Sequence, residues 1–306
     1  MASDSSQPRL SVVVVSFDRG LHLLKRCLEA LVDQQVPGGL EIIVVRARSA
    51  IDAHQREMEA DFADVAFLRA AAHATIPEMR CVGVARSRGE VVALIEDDCL
   101  VAADWTGSVL RAHGSRHVAV GGAVEPGAYR SPLDWAAYVC DYGRFMLPFK
   151  GGDTWALPGN NVSYKRSVIP ELLAMTAREG LQEVFVHEQW HEEGKPMLAD
   201  PAIVVRNEHR WNTNDVLCVP FFHARAFGAR RARAWGIGRR GIRAFATLGL
   251  PPIHIARSLQ RVLSRRRGVL RTIGALPWIG VFGLSWAAGE CLGYMAGPGD
   301  SLRRWR

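Results

Sequence analysis

The sequence lacks any closely spaced pair of cysteines. None of its six cysteines forms a CxxC motif, which argues against a zinc ribbon and against a disulfide scaffold. The opening residues, MASDSSQPRL, also lack the apolar core of a secretory signal. Both absences predict a reducing, cytoplasmic location.

Negative charge is almost absent from the rear of the chain. Residues 201–271 contain fifteen Arg, no Lys and only two acids, Glu208 and Asp215. The formal charge of this segment is therefore +13, whereas the first 200 residues are net acidic. A basic segment rich in aromatic residues fits an anionic lipid surface or a nucleic acid. The absence of any known nucleic-acid motif favours lipid, so no nucleic-acid partner is expected.

No apolar run reaches the roughly 20 residues that a spanning helix needs. Residues 272–289 carry no charge, but Pro277 interrupts them, and arginines lie on both sides of the run. Positive charge favours the cytoplasmic side of a membrane, so both ends of the run prefer the same side. We predict peripheral or monotopic attachment to the cytoplasmic face of the cell membrane, or one re-entrant segment hinged near Pro277.

The front of the chain alternates between strand and helix patterns. The β-branched runs at 10–16 and 41–45 are typical of buried parallel strands. Between them, apolar residues from Leu21 to Leu31 follow helical spacing. This alternation predicts an α/β fold with a doubly wound, mostly parallel sheet. Further strands are predicted at 65–68, 91–95, 118–124 and 202–206, and further helices at 52–62, 77–87 and 181–193.

Two domains are expected from the change of character near residue 211. Residues 1–210 are predicted to form the catalytic α/β domain, in which 130–158 are aromatic-rich and irregular. Residues 211–306 are predicted to form an Arg-rich and hydrophobic helical region associated with a membrane.

An acidic triplet, Glu96-Asp97-Asp98, follows the buried run VVALI. Ligands of open α/β sheets bind at the carboxyl ends of the strands. On an extended chain Glu96 and Asp98 would face one ligand and Asp97 would face the other way. Such a carboxylate pair could hold Mg²⁺ or Mn²⁺ against a leaving diphosphate. The alternative is a solvated loop after the strand.

Several segments together resemble family 2 glycosyltransferases, which have the GT-A fold. LSVVVVSFDR resembles the first strand and donor loop of that family. RCVGVARSRGEVVALIEDDCLVAADW resembles its helix, strand and DxD passage, and LPGNNVSYKRSVI resembles its Gly-Asn segment. The resemblance covers roughly residues 10–210. The apolar tail from Ala275 resembles tails found on some bacterial members.

The resemblance implies roles for particular residues. Asp98 would hold the metal, and Glu96 would contact the metal or the donor ribose. The acceptor side would include Asn160 and Asn161. The donor-binding residues would be Ser16, Phe17, Asp18, Arg80, Glu96 and Asp97.

The catalytic base is predicted from helix geometry and the resemblance together. An inverting transferase needs a carboxylate that accepts the proton of the acceptor hydroxyl. In the family this acid opens a helix that ends at a Gly eleven residues later. Gly194 is a natural helix stop, and counting back from it gives Glu183. Glu188 is the runner-up, and a plain charge at the helix N-terminus is the alternative for Glu183.

Other aromatic and imidazole side chains have two interpretations each. His187 and His191 lie on the face of Glu183, where a structural role is favoured over metal ligation. Trp135, Trp155 and Tyr164 are candidates for stacking on sugar rings, with a place in the core as the alternative.

The leading hypothesis is an inverting, metal-dependent glycosyltransferase. It would move a sugar from a nucleotide-diphosphate sugar to a lipid-linked or cell-surface glycan. Three residues depart from the family pattern. Arg46 replaces an acidic residue that reads the base, Cys81 replaces Asn, and Gln182 replaces Glu. These departures favour the alternative, a catalytically silent partner in glycan assembly that keeps the fold.

Overall fold

The computed structural model describes residues 7–16, 21–47, 53–127 and 131–304. Phe17 and Asp18 lie outside the described residues. The strands are β1 (Leu10–Ser16), β2 (Leu40–Ala47), β3 (Ala66–Ala70), β4 (Val91–Glu96), β5 (Cys99–Val101), β6 (Ala119–Pro126), β7 (Gly152–Asp153), β8 (Asn161–Lys165) and β9 (Met197–Asn207). The helices are α1 (Leu21–Val32), α2 (Ala53–Asp61), α3 (Ile76–Arg86), α4 (Trp105–His113), α5 (Pro132–Asp141), α6 (Ile169–Thr176), α7 (Glu183–Glu192), α8 (Thr213–Arg231), α9 (Ile237–Ala246), α10 (Leu250–Ser264), α11 (Val269–Ala296) and α12 (Ser301–Arg304).

The strands form one mixed sheet in the order β3-β2-β1-β4-β8-β6-β9-β5, with β7 paired to β9. The half made by β3, β2, β1 and β4 is parallel, and β8 joins it antiparallel to β4. Every residue of β1 is buried, as its unbroken β-branched run predicts for a strand covered on both faces. The mixed sheet with its flanking helices confirms the expected α/β class.

Helix α3, which carries Arg80, has a start that is fixed by its local sequence. The Thr75 side chain accepts a hydrogen bond from the Glu78 N–H, and Glu78 reaches back to the Thr75 N–H. This capping box satisfies two N–H groups that a helix start leaves unpaired. Pro77 lies in the first turn, where its missing N–H costs nothing.

The expectation that residues 130–158 are irregular is wrong for the first part of this segment, where α5 forms. Ser131 and Asp134 make a capping box, and Pro132 occupies the first turn. The aromatic residues of α5 do not line a loop. Trp135 and Tyr138 are buried in an apolar cluster, so apolar burial accounts for their abundance.

The chain divides into two compact units. The first, here called the sheet unit, comprises Met1–Glu125 and Leu147–Glu208. The second, the helical unit, comprises Pro126–Met146 and His209–Arg306. The helical unit therefore takes α5 from within residues 1–210 and combines it with the C-terminal helices.

A single helix, α11, runs through the uncharged segment of the helical unit. Among the described residues it alone is long and apolar enough to cross a membrane, a criterion of length and composition only. The expected hinge near Pro277 is wrong, since α11 continues through that residue. Ala275 and Ile279, on either side of it, are fully buried in the cluster that contains Trp135. Burial on both sides holds the helix together where an isolated proline would break it.

Close packing of α11 against α8 depends on glycine. A Cβ at Gly289 would overlap the backbone carbonyl oxygen of Phe221, and one at Gly293 would overlap that of Arg225. A Cβ at Gly280, in the same helix, would meet nothing within 4 Å. The backbones can approach only because both packed positions lack a side chain.

This contrast predicts opposite effects of one substitution within one helix. Gly289→Ala should lower the free energy of unfolding by about 1–3 kcal/mol, because the methyl group forces the helices apart. Gly280→Ala should raise it by about 0.5–1 kcal/mol through the better helix propensity of alanine. Denaturant unfolding of both variants, followed by circular dichroism, measures the difference. Equal midpoints would contradict the close packing of α8 and α11.

Candidate active site

The carboxyl ends of the parallel strands bring several predicted site residues to one edge of the sheet. Val15 pairs in register with Glu96, and Ser16 pairs with Arg46. Ser16 and Arg46 are both buried. Arg46 therefore lies in the row of strand ends and brings a positive charge to this edge of the sheet.

The acidic triplet is not extended over its whole length. β4 ends at Glu96, and Asp97 and Asp98 form the turn that leads into β5. The Asp97 N–H donates to the Val15 carbonyl oxygen at 3.2 Å. The expected alternation of side chains along an extended chain is therefore wrong here, because alternation holds only within a strand. Asp97 is 1 % exposed and Asp98 is 2 % exposed, so neither belongs to a solvated loop.

Asp98 is held by the last residue of β9. The Asn207 side-chain amide donates to Asp98 Oδ1 at 3.1 Å, and the Glu208 N–H donates to the Asp98 carbonyl oxygen at 2.7 Å. The Asn207 bond fixes the carboxylate and the Glu208 bond fixes the backbone of Asp98, both from a segment more than a hundred residues away in sequence. No local pattern in the sequence points to Asn207.

The fit of these residues to a divalent cation can be judged from the donors present. Within the described ranges, no group of three or more His, Cys, Asp or Glu side chains is placed to hold a metal. Mg²⁺ in phosphate chemistry commonly uses only one or two protein carboxylates and completes its shell with phosphate oxygens and water. The buried Asp98 carboxylate, with Glu96 two residues before it, fits that arrangement.

One buried arginine joins the triplet to the predicted base. Arg80 Nη2 donates to Glu96 Oε1 at 2.9 Å, and Arg80 Nη1 donates to Glu183 Oε2. Arg80 is 3 % exposed, and both carboxylates are largely covered. The donor role expected for Arg80 stays a prediction, whereas its contacts make it the link between α3, β4 and α7.

Glu183 opens α7, as the spacing from Gly194 predicts. The helix starts at Glu183, its last residue is Glu192, and Gly194 follows with a φ of +75°. Glu183 lies in the first turn, where the helix dipole favours a carboxylate. Glu188 lies five residues further, about 140° around the helix and about 7.5 Å along it. Geometry therefore favours Glu183 as the acid beside Arg80 and Glu96.

Gly159 makes room for the Glu183 carboxylate. A Cβ at residue 159 would overlap Glu183 Oε1, so only glycine admits the carboxylate at this place. Oε2 pairs with Arg80, and Oε1 is the oxygen beside Gly159. The motif LPGNN marks this segment as a turn in the sequence, but the steric role of Gly159 is visible only in the structure.

The two asparagines after Gly159 differ in their surroundings. Asn161 accepts from Trp105 Nε1 at 2.9 Å and donates to the carbonyl oxygens of Ala123 and Ile203. Its amide is thus used to hold strands together, and the expected acceptor-side role of Asn161 is not supported. Asn160 is also buried, but its Oδ1 finds no hydrogen-bond partner among the described residues.

The histidines and aromatic residues are mostly structural. His187 Nε2 lies 3.0 Å from the Tyr164 hydroxyl, and both side chains are buried. His191 is exposed. Trp135 belongs to the helical unit and donates to Thr272 Oγ1 at 2.7 Å. Trp155 is 44 % exposed, which leaves it as the one sugar-stacking candidate of the three with a large accessible surface.

Cys81 lies on a different side of α3 from its neighbour Arg80. Its Sγ contacts Thr176 Oγ1 of α6 at 3.4 Å. The departure at Cys81 therefore falls at a helix–helix contact, and the direct carboxylate contacts are made by Arg80.

The sequence of the chain matches a known protein family. The pattern described as "Glycosyl transferase family 2" matches residues 11–173, more than half of the chain. The chain belongs to glycosyl transferase family 2. The matched range contains all of β1 but its first residue, and also β4, the acidic triplet and Gly159. No curated protein matches the chain.

The fold of this family 2 member has a solved counterpart. It is similar to the crystal structure of GalNAc-T7 with UDP, GalNAc and Mn²⁺, at a TM-score of 0.52 and 15 % sequence identity. The match covers 68 % of this chain and 45 % of that chain, so the chain spans less than half of that structure. At this identity the likeness confirms the GT-A fold and nothing finer.

The buried His187 makes the stability of the family 2 domain depend on pH. Burial lowers the pKa of His187 from its usual value to about 4. The unfolded chain therefore binds a proton between about pH 6.5 and pH 4 that the folded chain does not bind. Stability is lost as the pH falls through this range, by up to about 1.4 kcal/mol per pH unit for this group.

His187→Gln, which can still bond to Tyr164, should reduce that loss. We expect the free energy of unfolding of the variant to fall less steeply between pH 6.5 and pH 4 than that of the wild type. His191→Gln, on the exposed face of the same helix, should leave the slope unchanged. Urea unfolding at several pH values checks this, and identical slopes for all three proteins would rule it out.

Proposed function

We propose that the chain transfers a sugar from a nucleotide-diphosphate sugar to an acceptor hydroxyl with inversion, in a reaction that depends on Mg²⁺ or Mn²⁺. The observation that carries the proposal is the bridge of Arg80 between Glu96 and Glu183. It joins the carboxylates beside the donor edge to the carboxylate that would act as base.

The donor would lie at the carboxyl ends of β1, β2 and β4. Ser16 ends β1 and Arg46 lies near the end of β2, where a guanidinium suits a phosphate oxygen. Asp98, with Glu96, would hold the divalent cation. The cation would neutralise charge on the departing nucleoside diphosphate. The Asn207 hydrogen bond would keep the Asp98 carboxylate in place before the donor arrives.

Glu183 would take the acceptor proton. In a single displacement the acceptor oxygen forms a bond to the anomeric carbon while the bond from that carbon to the diphosphate oxygen breaks. The proton of the acceptor hydroxyl passes to Glu183. The guanidinium of Arg80 on Oε2 would fix the carboxylate so that Oε1, beside Gly159, faces the acceptor. Fixed geometry of this kind removes orientation entropy from the reaction barrier.

Asn160 would help to orient the acceptor. Its Nδ2 lies 3.5 Å from Cys99 Sγ, and a buried amide oxygen without a protein partner is costly unless a ligand or water bonds to it. An acceptor hydroxyl could donate to this oxygen. The acceptor class that we propose is a lipid-linked or cell-surface glycan, because the helical unit combines apolar and basic surface. The reaction would then take place on the cytoplasmic face of the membrane.

A catalytically silent partner in glycan assembly is the second candidate. The observation that favours it is the ion pair of Glu183 with Arg80, since a neighbouring cation makes a carboxylate a weaker base. Slow hydrolysis of a nucleotide sugar by the purified protein, in the presence of Mn²⁺, distinguishes the two. A transferase should release nucleoside diphosphate, and a silent partner should release none.

Asp98→Asn should abolish transfer and leave the fold intact. The amide keeps an oxygen that can accept from Asn207, but it removes the charge that a divalent cation requires. Nucleoside diphosphate release, with and without EDTA, is the measurement. Asp64→Ala, which removes an exposed acid of the same unit, is the control and should keep full activity. Activity in the Asp98 variant, or activity insensitive to EDTA, would exclude the metal-dependent mechanism.

Glu183→Gln should lower kcat by roughly 10² or more, because the amide keeps an oxygen that can accept from Arg80 but cannot take the acceptor proton. The affinity for nucleotide should persist, and calorimetry can measure it. Glu188→Gln, in the same helix, is the matched control and should turn over normally. A dead Glu188 variant beside a normal Glu183 variant would show that the base is at the other position.

A further inference from the structure

The helical unit has an apolar face that none of its described residues (131–146 and 209–304) covers. Four side chains of α9 and the turn after it are strongly exposed: Ile237 and Ile242 at 73 %, Phe245 at 75 % and Leu248 at 70 %. Their spacing of three to five residues places them on one side of the helix. We call these four side chains the α9 face.

A neighbouring side of α9 is packed. Ala244 is buried with Ala232 and Tyr294, and Trp235 lies against that cluster. α9 is therefore an ordered amphipathic helix whose inner side is satisfied by the protein. Exposed apolar side chains of this size, gathered on one face, mark an interaction surface.

Arginine flanks the α9 face, and acids are missing from the whole segment. Residues 216–289 contain thirteen Arg, no Lys and no Asp or Glu. The guanidinium carbons of Arg239 and Arg243 lie 4.4 and 5.7 Å from the Trp235 ring centroid. Stacking on Trp235 holds both charges beside the α9 face. The chemistry that complements this surface is an apolar layer bordered by negative charge.

α11 does not fit the role of an independent spanning helix. Glu290, within it, is buried and accepts hydrogen bonds from Trp286 Nε1 at 2.9 Å and from the Tyr294 hydroxyl. Its N-terminal half packs against α5 through Thr272 and Ala275. α11 is thus the central helix of this unit. Single apolar side chains are also exposed elsewhere in the unit, at Leu263, Leu270 and Leu284, whereas the α9 face gathers four of them on one short helix and the turn after it.

We propose that the α9 face inserts into the interfacial layer of an anionic lipid bilayer while Arg239 and Arg243 bind its head groups. A helix with this division of apolar and basic residues lies in the plane of the interface. Each arginine close to such a surface adds favourable energy that salt screens. The attachment does not depend on catalysis and needs no crossing of the membrane.

Sedimentation with vesicles tests the proposal on the full chain. The wild type should bind vesicles of 70 % phosphatidylcholine and 30 % phosphatidylglycerol and bind pure phosphatidylcholine at least tenfold more weakly. Ile242→Ser with Phe245→Ser should reduce binding to the anionic vesicles at least tenfold. Val32→Ser, at an exposed apolar residue of the sheet unit, is the matched control and should change nothing.

Substitutions that remove or keep the positive charge test the proposed contact of Arg239 and Arg243 with head groups. Arg239→Gln with Arg243→Gln should weaken binding by about fivefold for each charge removed. The corresponding double change to Lys should keep most of the binding, because it keeps both charges. Equal losses in the Gln and Lys variants would show that the arginines act through Trp235 stacking alone, which would overturn their proposed contact with head groups.

Insertion itself is tested by depth. Phe245→Trp should add fluorescence that lipids brominated in their acyl chains quench, whereas Val32→Trp should add none that they quench. Unchanged vesicle binding by the variant with Ile242→Ser and Phe245→Ser would overturn the proposal. So would a preference of this surface for duplex DNA over anionic vesicles. A third such result is resistance of the same double Ser variant to alkaline extraction from membranes. The last would indicate a spanning α11.

Discussion

The Arg80 guanidinium is the interaction on which the candidate site depends. It is almost completely buried, and a buried arginine is tolerated only when carboxylates compensate its charge. Glu96 and Glu183 supply that compensation from opposite sides. Removing Arg80 would leave two carboxylates close together without a counter-charge. Because Arg80 bonds to both, it also holds the end of β4 beside the start of α7. One ion-pair network thus sets the relative positions of Glu96 and Glu183.

Much of the sheet unit can be predicted from sequence because its signals are local. The β-branched runs of β1, β2 and β4 and the helical spacing of α1 each follow from a few neighbouring residues. The start of α7 can be placed by counting back from Gly194, since a left-handed glycine commonly ends a helix. These elements carry Ser16, Glu96 and Glu183 to where the sequence predicts them.

The parts that sequence does not predict depend on contacts between distant residues. Asn207 bonds to Asp98, and Gly159 leaves space for the Glu183 carboxylate. Each of these contacts joins two segments that are far apart in the chain. Pro277 fails to break α11 because Ala275 and Ile279 are buried, and tertiary burial overrides a local breaker. α5 is a different case. Its capping box at Ser131 and Asp134 is readable, but the aromatic content of the segment conceals it.

The discontinuous helical unit has a consequence for any attempt to produce the sheet unit alone. α5 lies between β6 and β7 in the chain, yet Trp135, Tyr138 and Val139 are buried with Ala275 and Ile279 of α11. A fragment that stops after β9 would keep α5 and lose its apolar partner. The exposed aromatic side chains would then promote aggregation. A well-behaved shorter protein requires two cuts, in which a polar linker replaces residues 126–146 when the C-terminal helices are removed.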